Sequence, residues 1–593
     1  MTSLRNTGML LGAASLLAPL AGAQSYTKLL LKGDVIPFGA GTATVASIYN
    51  VDVNNSGQWL CEFDTDEASD VDNAIMMNGA LIHMEGTSLG FPASHAGAWV
   101  YDSYVDSMDI NDNGDRLMLF NAGDPTATVP DKKLIIWTDG GSGTPYTLIE
   151  EGVTLCTVAG EPVGAVWDSV NEVWQNNNNE MIVAGRSNSD ADDMLVHMTH
   201  DGAGTILAQT VFAIDNVNHA VAFPPSNGVH ATNVQGFTTS KANIALNNAG
   251  QKMFYVDDDH NAAGGDTNLD SHYYIDTTEI AWEGDDAPTA GIFPYNHLSS
   301  AEVDINDSGS WIAVWDDDNP DTTQDFFILK DGVVMYQEGQ APPGVAGGFV
   351  MTGSSFGPVQ LSSFGEITWI CDWDDPNTDI DSGLFRDNTM LIQEGVTSID
   401  SLIVDTISTS ADGMAVNDDG TLIVIELTMA GGLEGLYMIE MNPISTYCYG
   451  DGTGSTCPCG NISGTGEGCM NSSAMGGLLG HDGTSSIALD DFVLTGSQLP
   501  ANKPALFFTG TMEANGGLGN LFGDGLLCVS GPIIRLDVVF TNLSGECSST
   551  SPIASTIGAT LGQDSYFQLW FRDPAGVCGA GFNTTNALSL TWR

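Results

Sequence analysis

Basic residues are scarce in this chain of 593 residues. Lysine and arginine together number 15 against 75 aspartates and glutamates, and the formal net charge at pH 7 is −60. So negative a surface repels phosphate groups, which argues against binding to nucleic acids or anionic membranes. Hydrophobic residues still make up 42% of the sequence, enough to build folded cores, so an acidic disordered polymer is also excluded.

Long apolar runs are missing after the first 23 residues. Residues 9–20 are apolar, Arg5 precedes them, and the small residues Ala21-Gly22-Ala23 come before Gln24. This pattern predicts that residues 1–23 are a secretory signal peptide. The run is shorter than the roughly 20 apolar residues that a membrane-spanning helix needs. We therefore expect an exported chain, secreted, periplasmic or at the cell surface, without a membrane span.

Motifs of catalysis are absent as well. The sequence contains no His-Glu-x-x-His and no phosphate-binding loop. Carboxylates are so abundant that no pair stands out as the acid and nucleophile of a glycosidase. These absences favour a protein without catalytic activity.

A repeated turn dominates what is present. Five tetrads have the form Asn-Asn/Asp-x-Gly and two degenerate copies fill the gaps; the seven begin at Asn54, Asn111, Asn176, Asn247, Asn306, Ser362 and Asn417. Asn favours the entry of a turn, and glycine supplies the positive φ that a short hairpin requires. We therefore interpret each tetrad as a hairpin turn rather than as a calcium loop, which needs more carboxylates.

Each repeat unit contains the pattern of four short strands. In the fifth unit these are residues 299–305, 310–315, 325–330 and 333–337, and the last strand ends in Glu-Gly, as it does in most of the other units. Four short antiparallel strands repeated seven times are typical of a β-propeller. The sequence thus predicts an all-β fold whose larger part is a seven-bladed β-propeller.

The seventh unit has three predicted strands, at about residues 411–416, 421–428 and 435–441, and no fourth. The missing outer-strand pattern occurs at residues 27–33. We therefore predict that this N-terminal strand completes the seventh blade and closes a propeller that covers residues 24–446, so that no sheet edge stays open.

The tetrad units resemble a family of exported bacterial proteins that is known by a tandem NxxGxxAF repeat and by interchangeable C-terminal anchors. The resemblance covers about residues 26–442. The trailing Ala-Phe is frequently replaced, for example by Ala313-Val314 in the fifth unit. The resemblance implies secretion and a repeat architecture, and that family has no established catalytic residues to transfer.

The composition changes after residue 446. Alternating apolar runs such as 505–508, 533–540 and 566–571 predict strands that glycine-rich turns connect. Seven of the ten cysteines lie in this part, and in an exported chain they predict disulfide bonds. Residues 447–593 therefore predict a small β-sandwich stapled by disulfides, with one cysteine left over.

Four segments of this second part resemble a C-terminal module that recurs in exported planctomycete proteins: residues 447–452, 457–461, 522–526 and 571–574. The module recurs behind varied N-terminal domains, which implies a role in sorting, attachment or assembly. In that pattern Cys547 is the extra thiol, and its partner stays open.

Acidic clusters mark the predicted loops between the second and third strands of the units, and in a propeller these loops emerge on one face. The candidate metal ligands are Asp257, Asp258, Asp259, Asp316, Asp317, Asp318, Asp372, Asp374 and Asp375. Crowded carboxylates raise one another's pKa unless a cation intervenes, and oxygen-rich loops suit calcium. No single loop has a full ligand set, so we favour simple solvation of an acidic face and keep calcium as the alternative.

The preferred hypothesis is an exported, non-catalytic propeller. It binds a ligand, glycan or protein through its acidic face and is carried by an attachment or sorting module. Two alternatives stay open: a polysaccharide hydrolase or lyase with its site at the mouth of the propeller, and a structural protein of the cell envelope.

Overall fold

The computed structural model describes residues 24–592 apart from several internal segments. These are 90–98, 125–129, 190–192, 215–230, 235–242, 259–270, 290–292, 297–301, 353–355, 442–443, 483–484, 486, 488–489, 491 and 561–562. The predicted signal peptide, residues 1–23, lies outside the described residues. Two compact units divide the chain, one formed by Ser25–Glu440 and the other mainly by Met441–Arg593.

Seven sheets make up the described part of the first unit, and all but the last follow the order of the chain. A leading strand, β1 (Gln24–Leu31), is part of the last sheet. The first sheet consists of β2 Val35–Phe38, β3 Gly41–Val53, β4 Trp59–Thr65, β5 Asn73–Met77 and β6 Ala80–Met84. The second consists of β7 Val100–Ile110, β8 Arg116–Gly123, β9 Lys132–Thr138 and β10 Pro145–Glu150. The third consists of β11 Trp167–Gln175, β12 Glu180–Ser187, β13 Met194–His200 and β14 Ile206–Ile214.

The remaining sheets repeat the scheme. The fourth consists of β15 Ala231–Val234, β16 Ala245–Leu246, β17 Lys252–Asp258, β18 Ser271–Ile275 and β19 Thr278–Trp282. The fifth consists of β20 Tyr295–Asn296, β21 Val303–Ile305, β22 Trp311–Asp317, β23 Phe326–Lys330 and β24 Val333–Gln337. The sixth consists of β25 Met351–Thr352, β26 Val359–Leu361, β27 Ile367–Trp373, β28 Ser382–Arg386 and β29 Thr389–Gln393.

The seventh sheet is built from both ends of the unit. It consists of β30 Ser398–Ile399, β31 Leu402–Ile407, β32 Met414–Val416, β33 Leu422–Met429, β34 Leu433–Met441 and the leading strand β1, with a 3₁₀ turn at Ala411–Gly413. Strand β1 lies beside β34, and just beyond β1 the amide of Lys32 donates to the carbonyl of Glu434 at 2.9 Å. The two outermost positions of this sheet are therefore far apart in the sequence.

Successive sheets of the first unit pack against each other through apolar side chains. Leu60 of the first sheet shares a buried cluster with Met118 of the second, and Tyr255 of the fourth shares one with Trp315 of the fifth. The same holds for the last and first sheets, because Leu436 and Val45 lie in one cluster. A series of short sheets packed in this way is a β-propeller, so the predicted all-β fold and propeller class are confirmed.

The second unit has two larger sheets and one short helix. Its elements are β35 Ile444–Tyr447, β36 Leu478–Asp482, β37 Val493–Ser497, β38 Pro504–Gly510, β39 Met512–Glu513, β40 Asn520–Phe522, β41 Gly525–Leu527, β42 Val529–Ser530, β43 Ile534–Phe540, β44 Cys547–Ser548, α1 Ile553–Ile557, β45 Asp564–Arg572 and β46 Phe582–Thr591. One sheet has the order β35-β46-β45-β38-β43 and the other β36-β37-β44. Leu494 of the smaller sheet and Phe507 of the larger one lie in the same buried cluster.

Three disulfides staple the second unit, as predicted. They join Cys448 to Cys528, Cys457 to Cys469, and Cys459 to Cys578. Cys547 is half-buried and forms no disulfide. Among the described residues, no helix has both the length and the apolar character needed to cross a bilayer.

Candidate functional site

In the tetrads, one asparagine side chain both closes its own turn and donates a hydrogen bond to the next tetrad. In the first tetrad, Oδ1 of Asn54 accepts from the amides of Ser56 and Gln58 at 3.1 and 3.0 Å, which closes the predicted hairpin turn. Gly57 adopts a φ of 72°, as that turn requires. Nδ2 of Asn54 points the other way and donates to the carbonyl of Asn111 in the next tetrad at 2.8 Å. Each turn is thus tied to the following one.

These links continue around the whole unit. The tetrad asparagine donates to the next tetrad in the pairs Asn111 to Asn176, Asn176 to Asn247, Asn247 to Asn306 and Asn306 to Ser362. At the sixth tetrad, where serine replaces asparagine, the amide of Ser363 donates to the carbonyl of Asp418 at 2.6 Å. Nδ2 of Asn417 donates to Oδ1 of Asn55 at 2.8 Å and joins the last tetrad to the first.

The tetrads and the strands directly before them line a cavity of about 290 Å³ to which all seven sheets contribute. Carboxylates on these strands bind the backbone of the next sheet: Asp52 accepts from the amide of Ile110 at 2.7 Å, and Asp304 accepts from that of Leu361 at 2.7 Å. Burial raises the pKa of Asp304 to about 6. These acids connect neighbouring strands by side chain where no backbone ladder joins the sheets, so their role is structural.

One carboxyl group at the tetrad end of this cavity has a strongly raised pKa. Asp418, the second residue of the last tetrad, has its pKa raised to about 8, first by burial and then by the charges of Asp112 and Asp307, the second residues of two other tetrads. Its Oδ2 atom is 3.3 Å from Nδ2 of Asn248. Three carboxylates from different units therefore approach one another at the tetrad end of the cavity.

The calcium candidates that the structure describes lie at or just beyond the ends of the strands that follow the tetrads, away from the tetrad turns. Asp317 accepts from the hydroxyl of Thr289 at 2.5 Å and from the amide of Asn319 at 3.1 Å. Asp318 is exposed. Asp316 has its pKa raised to about 7, first by burial and then by the charge of Asp325.

The sixth sheet uses its acids in the same way. Asp374 accepts from the amide of Val350 at 2.7 Å, Asp375 accepts from that of Asn377 at 2.9 Å, and Asp372 is half-buried. Asp257 and Asp258 end strand β17, and Asp259 lies outside the described residues. Within the described ranges, no three His, Cys, Asp or Glu side chains are grouped closely enough to hold a metal ion. Calcium at these loops stays a prediction.

A second cavity opens between the first and second sheets, at the end of β4 that carries its acidic loop. Its volume is about 400 Å³. Its lining contains four carboxylates and no lysine or arginine, and consists of Tyr49, Asn50, Glu62, Asp64, Ser69, Asp72, Asn73, Glu85, Ser103, Tyr104 and Val105. We call this cavity the acidic pocket.

Glu62 is the residue of the acidic pocket that departs from the repeat. It stands three positions after Trp59, which pairs with Val53 before the tetrad. The corresponding positions of units two to six are the buried residues Leu119, Ala184, Tyr255, Val314 and Ile370. In the seventh unit the turn is one residue longer, because the amide of Asn417 donates to the carbonyl of Leu422, and the corresponding residue is the half-buried Glu426. A carboxyl group thus replaces a core side chain in the first and seventh units, and Glu62, at 2% exposed, is the more deeply buried of the two.

Four donors surround this carboxyl group. The amide of Val105 and Nδ2 of Asn73 donate to Oε1 at 2.9 and 3.0 Å, and Nδ2 of Asn50 donates to Oε2 at 2.7 Å. The hydroxyl of Tyr101 is 3.3 Å from Oε1. Burial nevertheless outweighs these bonds and raises the pKa of Glu62 to about 7.

Asp64 is next to Glu62 on the same face of strand β4. Nδ2 of Asn73 donates to both carboxylates, at 3.0 Å to Glu62 and 3.1 Å to Asp64. The hydroxyl of Tyr49 donates to Oδ2 of Asp64 at 2.7 Å. Tyr49 and Tyr104 are 41% and 56% exposed, so two aromatic rings border a pocket whose floor is acidic.

The backbone at the rim of the acidic pocket is held in an unusual conformation. Ser103 has a φ of 67°, which is uncommon for a residue with a side chain. Its amide donates to Oε1 of Glu85 at 2.9 Å, and Oε2 of Glu85 accepts from the amide of Asn73 at 3.2 Å. Glu85 belongs to the Glu-Gly ending of the first unit. Its carboxylate therefore bonds to the backbone of both sheets that line the pocket. Sequence analysis had found the motif but not this role.

No protein-family model and no curated protein matches the chain. Among solved structures, it is similar to the β-propeller domain of the Trilobed protease from Pyrococcus furiosus, with 9% identity, a TM-score of 0.37, and coverage of 68% of this chain and 95% of that one. It is also similar to a GH93 α-L-arabinofuranosidase of Fusarium graminearum, with 11% identity, a TM-score of 0.27, and coverage of 55% and 89%. An oligogalacturonate lyase from Vibrio parahaemolyticus has 8% identity, a TM-score of 0.25, and coverage of 70% and 98%. Values this low carry no inference about activity, and the propeller assignment rests on the packing of the sheets.

Proposed function

We propose that this chain is an exported, non-catalytic seven-bladed propeller, closed by its N-terminal strand, that binds a neutral or positively charged glycan in the acidic pocket. The second unit serves attachment or sorting. Three disulfides and the lack of a spanning helix among the described residues are compatible with export. The observation that carries the proposal is Glu62, a buried carboxyl group at a position where units two to six have buried core side chains and the seventh has the half-buried Glu426.

The chemistry of the lining selects the ligand class. Carboxylates accept hydrogen bonds from sugar hydroxyl or amino groups, and exposed rings such as Tyr49 and Tyr104 offer apolar faces to a sugar. The four acids of the lining, with no base among them, repel carboxylated or sulfated glycans. A neutral or amino sugar therefore fits better than a uronate.

Hydrolysis is the second candidate, because one observation favours it. Glu62 and Asp64 share the amide of Asn73, and Glu62 has a pKa raised to about 7. A carboxyl group with a raised pKa close to a second carboxylate is an arrangement that glycosidases use. Glu62 is only 2% exposed and its oxygens already accept four hydrogen bonds, so we assign it to shaping the pocket.

The test is binding of oligosaccharides to the mature full-length protein, measured by calorimetry after a glycan-array screen. Neutral and amino oligosaccharides should bind and oligogalacturonate should not. Asp64→Asn should weaken binding by roughly tenfold, as expected for the loss of a charge-assisted hydrogen bond. The exposed Asp318→Asn serves as the matched control and should bind like the wild type. Binding of anionic glycans only, or equal affinity of Asp64→Asn and the wild type, contradicts the proposal, and release of shorter sugars that stops in Glu62→Gln supports hydrolysis instead.

A further inference from the structure

Two carboxylates in the core of the second unit have no basic partner. Asp524 and Asp573 are both 0% exposed. Oδ1 and Oδ2 of Asp524 accept from the amides of Ala580 and Cys578 at 2.8 and 3.1 Å. Oδ2 of Asp573 accepts from the amide of Ser472 at 2.9 Å. Where the structure describes the chain, neither carboxylate forms an ion pair with a lysine, arginine or histidine.

The two carboxylates face each other across a glycine. A Cβ atom on Gly576 would lie 2.2 Å from Oδ2 of Asp524 and 3.1 Å from Oδ2 of Asp573. Any larger residue would therefore collide with the first carboxylate. Gly576 does not adopt a positive φ, so the space rather than the backbone conformation requires glycine here. Two acidic groups that approach within one side chain of each other, away from water, repel unless a cation lies with them.

Two buried side-chain oxygens in the described part of this unit lack a hydrogen-bond donor. Oδ1 of Asp573 and Oδ1 of Asn461, a residue that is 3% exposed, have no hydrogen-bond partner among the described residues. The amide of Asn461 cannot be turned round, because its Nδ2 donates to the carbonyls of Met470 and Asp524 at 2.8 Å each. A buried polar oxygen without a donor is costly, and a metal ion is one of the few groups that satisfy it.

We propose that the second unit holds a buried calcium ion, with the unpartnered oxygens of Asp573 and Asn461 and the carboxylate of Asp524 as protein ligands. All three are hard oxygen donors, which calcium prefers. Cys578, whose amide donates to Asp524, offers no thiolate ligand because it is joined to Cys459 in a disulfide. Magnesium keeps most of its water, which a fully buried site does not accommodate.

The position of the three ligands in the sequence agrees with this role. Asn461, Asp524 and Asp573 each lie in one of the segments that resemble the recurrent C-terminal module, namely 457–461, 522–526 and 571–574. Cys459 of the first segment is joined by a disulfide to Cys578, whose amide donates to Asp524 of the second, so this disulfide connects the first two segments. The site is separate from the acidic loops of the propeller and from the acidic pocket.

The experiment is calcium binding by the full mature chain after treatment with a chelator, measured by equilibrium dialysis with the metal alone. We expect Asp573→Asn to bind one calcium ion fewer than the wild type, or to bind it at least roughly tenfold more weakly. Asp482→Asn, which changes an exposed acid of the same unit, should retain wild-type binding. Equal stoichiometry and affinity of Asp573→Asn and the wild type would overturn the proposal, as would a wild type that binds no calcium.

A second measurement needs no variant and covers the case in which Asp573→Asn does not fold. Reduction of the disulfide between Cys459 and Cys578 by a thiol, followed by mass spectrometry of the alkylated peptides, reports on the site directly, because the amide of Cys578 donates to Asp524. Calcium should slow this reduction severalfold and leave the disulfide between Cys448 and Cys528 unaffected. A rate that does not change with calcium contradicts the site.

Discussion

Nδ2 of Asn417 donates a hydrogen bond to Oδ1 of Asn55 over 2.8 Å, although 362 positions separate the two residues in the sequence. The same Oδ1 atom accepts from the amide of Asp419 at 2.9 Å. The last tetrad is thus joined to the first by an asparagine side chain, as in five of the six links between the first and last tetrads. The remaining link, from the sixth tetrad to the seventh, uses the backbone amide of Ser363.

Because Asn247 links its own turn to the next one, we expect its replacement by Asp to lower the stability of the fold. Oδ1 can still cap the turn, but a carboxylate oxygen would stand where Nδ2 now donates to the carbonyl of Asn306 at 2.8 Å. We expect Asn247→Asp to lower the free energy of unfolding by about 1–3 kcal/mol, the cost of a buried carbonyl facing an acceptor. Chemical denaturation checks this, with the exposed Asn377→Asp as control. Equal stability of the two variants would show that the turns do not depend on the link.

A second prediction concerns Leu30, a buried residue of the leading strand β1. Leu30 is 2% exposed and packs in the cluster that contains Val45 and Leu436. Truncation by Leu30→Ala should reduce the free energy of unfolding by about 2–4 kcal/mol, the usual range for a leucine lost from a core. Leu207→Ala, at a side chain that is 65% exposed, should change it by less than about 0.5 kcal/mol. A Leu30→Ala protein as stable as the control would mean that residue 30 is not in a core.

The pKa of Asp418 predicts how stability varies with pH. Since this pKa rises from 3.8 in an unfolded chain to about 8 in the fold, the native state holds the proton more tightly. The stability that Asp418 contributes is therefore complete below pH 3.8 and is lost as the pH rises to about 8.

Asp418→Asn removes this dependence, and the tetrads at Asn54, Asn176 and Asn247 already have Asn at the same position. These two pKa values alone would give about 4 kcal/mol between pH 5 and 8, but the side chain of Asp418 is exposed and solvent screens its charge. The free energy of unfolding should therefore fall by roughly 1–2 kcal/mol more in the wild type than in the variant. Thermal unfolding across that pH range checks it, with Asp318→Asn as control. Parallel curves for the wild type and Asp418→Asn would contradict the raised pKa of Asp418.

The sequence predicts the repeat well because turn chemistry is local. Asn and Gly at the two ends of a tetrad determine the hairpin, and in the fifth unit the predicted strands 325–330 and 333–337 correspond to β23 and β24. The first predicted strand, 299–305, is observed over Val303–Ile305, and residues 297–301 lie outside the described residues. Local sequence rules therefore predict each strand, but they do not predict the contacts of its side chains with the next unit.

The acidic pocket could not be predicted by the same reasoning. Its residues come from two units, and sequence analysis weighed acids by their abundance in loops, where Asp316 and Asp317 are conspicuous. Glu62 lies inside a strand, and its one signal is the loss of a core residue that units two to six retain at that position. Aligning the units on their tetrads, rather than searching for acidic clusters, would have found it.

The most direct test of the closed propeller is a zero-length carbodiimide cross-link on the native mature protein, mapped by mass spectrometry. Nζ of Lys32 is 3.4 Å from Oε2 of Glu434, and Nζ of Lys252 is 2.7 Å from Oδ1 of Asp276 within the fourth sheet. The account predicts that both pairs are joined and that denaturation before the reaction abolishes the first. Formation of the Lys252–Asp276 link while Lys32 reacts only with acids outside residues 433–441 would contradict it.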